Sequence, residues 1–285
     1  MKIGLAANMF REGYDRFGNQ RYKKLREHGF DGIDFGMANT KTVFYDGDES
    51  ELRRMMNEEK ALAENEGIEI FQIHGPWRYP PMDFEEADRR ERMDKMCKSI
   101  RAASYLGCRN WVVHPIMPLG TSDTEEGTEE QTYELNLKFM RELLAYAKDF
   151  GVTVCLENMP FRKFSLSKPA DILKFVREIN DESFKICLDT GHVSVFEGLK
   201  AGDEVRKLGG EIRAFHMHDN NGNSDEHKFP KSGIIDWKDF AAAVREIKYD
   251  GAVCIESLPD ARLEDKEFEE QCIELHEIAD EILNG

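Results

Sequence analysis

One unit recurs along this 285-residue chain: an amphipathic helix, a glycine or glycine-containing turn, a short β-rich run, and a polar residue that closes the run. The repetition predicts strands over 2–7, 32–35, 68–74, 110–114, 152–157, 184–189, 212–218 and 252–256. Helical patterns separate them over 51–65, 84–106, 131–150, 169–179, 237–247 and 264–283, with two shorter helices expected near Tyr22 and Val205. Strict alternation demands a parallel sheet, because each helix must carry the chain back before the next strand can start in the same direction. Eight such units, in a length that suits one large core, predict an α/β fold of the (β/α)8 barrel type, forming a single domain over 1–285. No Pro-, Gly- or Ser-rich linker breaks the pattern.

The charge balance narrows the partners. With 39 Lys and Arg against 56 Asp and Glu, the formal charge is −17, which repels polyanions and argues against a general nucleic-acid or anionic-membrane binder. No window approaches the ~20 apolar residues of a membrane helix, and the opening MKIGLAANMF lacks the basic-then-apolar order of a signal peptide, so a cytoplasmic location is expected. The six cysteines, at 97, 108, 155, 187, 254 and 272, show no CxxC spacing and read as reduced core thiols. The acidic runs at 46–51, 124–130 and 264–270 read as solvated loops and helix starts.

Barrels of this type do their chemistry at the C-terminal ends of the strands. Here those ends are rich in ligands: His74 in FQIHGPW, His114 in WVVHP, Glu157 in VCLENMP, Asp189 and His192 in ICLDTGH, His216 and His218 in AFHMHDN, and Glu256 in VCIES. A small residue stands two positions before the polar one in Cys155-Leu-Glu157, Cys187-Leu-Asp189, Ala214-Phe-His216 and Cys254-Ile-Glu256. Residues two apart on a strand share a face, so each small side chain sits one step below a polar one inside the barrel and leaves room for a site. This favours His216 over His218 as the residue level with the three carboxylates. A lone carboxylate at a strand end serves as well for a helix cap or a loop partner. Three of them converging with an imidazole need a counter-charge, and a divalent cation is the economical one. Three oxygen-donor residues and one nitrogen suit Mn²⁺, Mg²⁺ or Co²⁺ and are compatible with Zn²⁺. Trp77 and Tyr79, in HGPWRYPPMD, suit stacking on a sugar face and equally an ordinary lid.

The strand-end series HGP, HP, LEN, LDTGH, FHMHD, H-x-F-P-x-x-G-IIDW and IES, one piece per successive strand, resembles the xylose isomerase-like TIM barrel superfamily. That superfamily includes sugar and sugar phosphate isomerases and epimerases and the endonuclease IV family. The resemblance implies a divalent metal held by Glu157, Asp189, His216 and Glu256, with His192 beside it as a substrate contact. In the sugar enzymes the metal stabilises an enediolate while two glutamates move the proton, roles that fall on Glu157 and Glu256, with His192 donating a hydrogen bond to the developing oxyanion. His74, Trp77, His114, His218, His227 and Lys231 are the expected substrate-binding residues. The implied partner is a small-molecule sugar or sugar phosphate, and a homo-oligomer is compatible with exposed barrel helices.

The rival reading is a metal-dependent phosphodiesterase acting at abasic DNA sites. The endonuclease IV resemblance implies a trinuclear zinc cluster, and His74, His114, Glu157, Asp189, His192, His216, Asp225, His227 and Glu256 can be matched to it. Against this, TSDTEEGTEE puts negative charge on the face that DNA would approach, where the basic residues are few: Arg11, Arg78, Arg162, Lys163, Lys228 and Lys231. A dehydratase or lyase, or a binding protein on the same barrel, completes the alternatives. Two departures limit transfer from the ketose 3-epimerases: their further Glu after strand five is absent from NMPFRKF, and Lys231-Ser232-Gly233 replaces a Gly-Glu-Gly loop, which suits a phosphate or carboxylate on the substrate.

Overall fold

The computed structural model describes residues 1–7, 13–77, 79–81 and 83–285, so Arg11 and Arg78 lie outside the described residues. Eight parallel strands close in sequence order: β1 (Lys2–Ala7), β2 (Gly32–Gly36), β3 (Glu69–His74), β4 (Asn110–Val113), β5 (Thr153–Glu157), β6 (Phe184–Asp189), β7 (Ile212–Met217) and β8 (Ala252–Ile255), with β8 pairing to β1. This is the expected (β/α)8 barrel. His114, His218 and Glu256 each fall one residue past the strand they were expected to close.

The helices form as their sequences direct. In Pro169–Ile179 a proline opens the first turn, Ile172, Phe175 and Val176 bury one stripe, and Asn180 ends the helix at φ 53°. Burying a side chain such as Phe175 contributes about 2 kcal/mol, and truncating it to Ala costs about 3–5 kcal/mol because a cavity remains. Glu86–Leu106 starts at a capping box between Glu85 and Asp88 and stops at Gly107, in the left-handed conformation at φ 76°. Four short helical segments were not expected from the sequence: Tyr14–Gln20, Val43–Asp46, Thr190–Ser194 and Gly209–Glu211. None has the length to show helical periodicity.

Inside the barrel, Val112, Cys155, Cys187 and Ala214 form a fully buried layer directly below the polar strand ends. All six cysteines are free, and burial pushes the Cys155 thiol up to about 12, so this layer is inert packing. Two register shifts set the level of the groups above it. Between β6 and β7 the pairing slips after Ile186, which places Asp189 opposite His216. Between β2 and β3 it slips after Ile33, which leaves Phe71 unpaired and sets Asp34 opposite Gln72.

Candidate active site and metal centre

Glu157, at the end of β5, is 1% exposed and lies between histidines of three other strands. Its Oε1 is 2.8 Å from His216 Nδ1, while its Oε2 is 3.0 Å from His114 Nε2 and 3.6 Å from His74 Nε2. Asp189 Oδ1 accepts from the backbone N–H of His192 at 2.6 Å and so caps Thr190–Ser194. Its Oδ2 is 3.0 Å from His218 Nε2. Glu256 brings Oε2 to 3.3 Å from His216 Nδ1 without a hydrogen bond to it, leaving a buried carboxylate oxygen with no partner. One donor atom each from Glu157, Asp189, His216 and Glu256 falls within 4.8 Å of the others.

A second group adjoins the first. Donor atoms of His192, His218, Asp225 and His227 also lie within 4.8 Å of one another. His192 Nδ1 donates to the carbonyl of Asn158 at 2.7 Å, and His227 Nδ1 donates to that of Glu256 at 2.8 Å. Carbonyls only accept, so in neutral rings each Nε2 would carry a lone pair. These Nε2 atoms point at Asp225 Oδ2, 3.3 and 3.1 Å away. Lone pairs facing a carboxylate repel unless a proton or a metal ion lies between them. The sequence chemistry here is locally specific: an added Cβ on Gly191 would lie 1.9 Å from His218 Cε1, so the glycine of LDTGH makes room for that imidazole.

Loop contacts hold both groups. The Asn158 side chain accepts from Asp189 N at 2.8 Å and donates to Asp189 O at 3.1 Å, which ties the ends of β5 and β6 together. Asp219 accepts from Trp237 Nε1 at 2.9 Å, and a Cβ on Gly233 would collide with the same carboxylate. A residue not foreseen from the sequence joins them: Asp34 Oδ2 accepts from His216 Nε2 at 2.8 Å and from Gln72 Nε2 at 2.9 Å. A signal for it exists, since Gly32-Ile-Asp34 repeats the small-x-polar spacing of the other strands.

A family profile described as xylose isomerase-like TIM barrel matches residues 22–274. The chain belongs to this family. Among proteins of known sequence, an uncharacterized protein of Methanocaldococcus jannaschii is 27% identical over 82% of this chain and 77% of its own length. A D-psicose 3-epimerase of Ruminiclostridium cellulolyticum is 24% identical over 90% of this chain and 83% of its own. Among solved structures, a D-tagatose 3-epimerase-like protein superimposes with a TM-score of 0.78 at 25% identity, covering 100% of this chain and 97% of the other.

In this xylose isomerase-like barrel the buried charges separate by environment. Burial alone would raise Glu157, but the imidazoles of His216 and His114 outweigh it and hold the carboxyl well below the usual glutamate range. Glu256 is raised instead, by burial and by the nearby carboxylates of Glu157 and Asp189, which outweigh His216 and His227. Burial lowers His114 to about 4, so that ring is neutral near pH 7. Burial would lower His192 as well, but the carboxylates of Asp189, Asp225 and Glu157 hold it up at about 10.

Both groups border a cavity of about 980 Å³ at the C-terminal mouth. His74, Trp77, His114, Glu157, His192, Asp225, His227 and Glu256 line it, as do Asp34, Tyr79 and Phe161. Trp77 sits edge-on to His114 with ring centroids 4.4 Å apart, and Tyr79 stacks on Phe161 at 6.3 Å. Two expected substrate-binding residues are not brought to this cavity. His218 is fully buried and does not line it, held between Asp189 and the stacked ring of His227. Lys231 turns away, with its ammonium 2.7 Å from Glu281. Arg162 also serves the scaffold, donating to the carbonyls of Val195 and Gly222. Among the described lining residues there is no Lys or Arg. No helix among the described residues is long and apolar enough to cross a membrane.

Proposed function

We propose that this protein is a divalent-metal-dependent sugar isomerase or epimerase that moves a proton at a carbon next to a carbonyl. The observation that carries the reading is the convergence of Glu157, Asp189, His216 and Glu256 within 4.8 Å at the floor of a sugar-sized or larger cavity. The donor set fits a cation: three carboxylates meet one imidazole, and the buried Glu256 Oε2 has no hydrogen-bond partner. Mn²⁺, Mg²⁺ or Co²⁺ suits these donors, and Zn²⁺ is compatible. When bound, such an ion supplies positive charge beside the substrate oxygens as the proton departs.

The chain's own groups do the rest. Glu157 and Glu256 come from the ends of β5 and β8 and can act on opposite faces of a substrate held between them, as exchange of a proton by an acid and a base requires. His114, neutral near pH 7, orients Glu157, and Trp77 offers an aromatic face to a sugar ring. The similarity to a D-psicose 3-epimerase and to a D-tagatose 3-epimerase-like protein supports this reading. Proton exchange tests it: metal-loaded enzyme, incubated with a panel of ketoses in deuterated water, is expected to place deuterium on the carbon next to the carbonyl. Absence of uptake across the panel would remove the proposal.

A second reading draws on the His192, His218, Asp225 and His227 group. A second ion there would make a multinuclear centre suited to phosphodiester hydrolysis. The −17 charge and the acidic loop after β4 weigh against a DNA substrate. Nicking of abasic duplex DNA, without deuterium uptake by sugars, would reverse the order of the two readings.

A further inference from the structure

We infer that Asp34 is a positioning residue for the metal centre: it holds His216 so that Nδ1, and not Nε2, is presented to the ion. The inference rests on the metal reading above and assigns a role to a side chain outside the ligand set.

Three independent observations converge on Asp34. First, His216 is fully buried and donates Nε2–H to Asp34 Oδ2 at 2.8 Å, which leaves Nδ1 facing Glu157 and Glu256. Second, the β2–β3 bulge sets Asp34 opposite Gln72 in the pairing, and the Gln72 amide then donates to the same Oδ2 at 2.9 Å. Without that shift Phe71 would occupy the position opposite Asp34. Third, the neighbouring imidazoles are braced differently. His74, His192 and His227 each donate Nδ1–H to a backbone carbonyl, of Gly75, Asn158 and Glu256, and turn Nε2 toward a carboxylate. His216 has the reverse orientation and a buried carboxylate as its brace.

A carboxylate behind a ligating histidine fixes its tautomer and ring angle and strengthens the donor nitrogen, and losing such a partner typically weakens metal binding about 10–100-fold. Asp34 is 1% exposed, and its Oδ1 has no hydrogen-bond partner. A carboxylate buried for stability alone would be expected to satisfy both oxygens.

The test uses cobalt(II) as the probe, titrated into wild-type, Asp34→Asn, Gln72→Met and His216→Ala proteins, with affinity and visible absorption bands recorded together. Asp34→Asn is expected to bind cobalt about 10–100-fold more weakly with shifted bands, and Gln72→Met to show a smaller loss in the same direction. A purely structural role would lower the melting temperature of metal-free Asp34→Asn and leave affinity and bands unchanged, which would overturn the inference while His216→Ala still upheld the metal centre. If wild type binds no cobalt, the metal reading fails and this inference with it. If Asp34→Asn does not fold, Gln72→Met decides, and folded Gln72→Met with wild-type affinity and bands overturns the proposal.

Discussion

Glu157 and His216 face each other at 2.8 Å, Oε1 to Nδ1, across the mouth of the barrel from strands two places apart. Both are fully enclosed, so neither can satisfy its charge with water. The contact joins a carboxylate to an imidazole of the proposed metal centre, where only a proton or a cation can offset the enclosed negative charge.

Substituting Asp189→Asn or His216→Ala should remove metal from the first group. Elemental analysis after native purification is expected to show reduced occupancy in both variants. Unchanged stoichiometry in the two together would rule out these four residues as the ligand set.

Glu256→Gln should separate binding from chemistry. An amide still coordinates weakly but cannot exchange protons, so metal should largely remain while deuterium uptake falls by about 10²–10⁴-fold. Exchange by the variant at the wild-type rate would exclude Glu256 as an acid or base.

The second group predicts a count. His227→Ala should lower metal content, or leave it unchanged if only the first group is loaded, and sugar exchange should survive His114→Ala if that ring merely orients Glu157. Loss of a second metal, together with loss of abasic-site nicking, would favour the phosphodiesterase reading. Any such nicking should fall steeply with added salt.

Proton linkage gives a signed expectation for the metal-free protein. His192 and His227 are both held up at about 10, by carboxylates that outweigh burial, against about 6.5 in an unfolded chain. A group raised on folding contributes stability that is complete below the unfolded value and is lost as pH climbs through the folded one. The melting temperature of metal-free protein should therefore decline between about pH 7 and 10. Metal entering this group must displace those protons, so calorimetric titration at about pH 8 in buffers of different ionisation enthalpy should register proton release. A buffer-independent heat would contradict it.

Gly191→Ala should be destabilising out of proportion to one methyl group. The new Cβ has no place except within the His218 ring, and overpacking of this kind costs about 1–3 kcal/mol. Urea unfolding would measure it, and a variant as stable as wild type would show that the imidazole can move aside.

The barrel and the four residues of the first group were legible in the chain because both depend on local order. A repeating strand and helix leaves one topology open, and the small-x-polar spacing shows which residues share a level on each strand, as in Cys155-Leu-Glu157 and Ala214-Phe-His216. Lys231 shows where such reading stops: a loop cation looked available to substrate, yet it meets Glu281 fifty residues away, in a contact that no spacing encodes. His218 likewise lies two residues from His216 on the inward side, but the gap left by Gly191 lets its ring turn against Asp189, out of the cavity lining.

The order of residues along the chain sets which polar groups stand at the strand ends and the sign of the charge they bring. Their relative height and their choice of partner arise only when the strands pair with one another. Two register slips, after Ile33 and after Ile186, bring Asp34 level with Gln72 and Asp189 level with His216. Such a slip comes from packing between neighbouring strands, not from the preference of either strand alone, so two segments of unchanged sequence could pair one residue differently and build a different site.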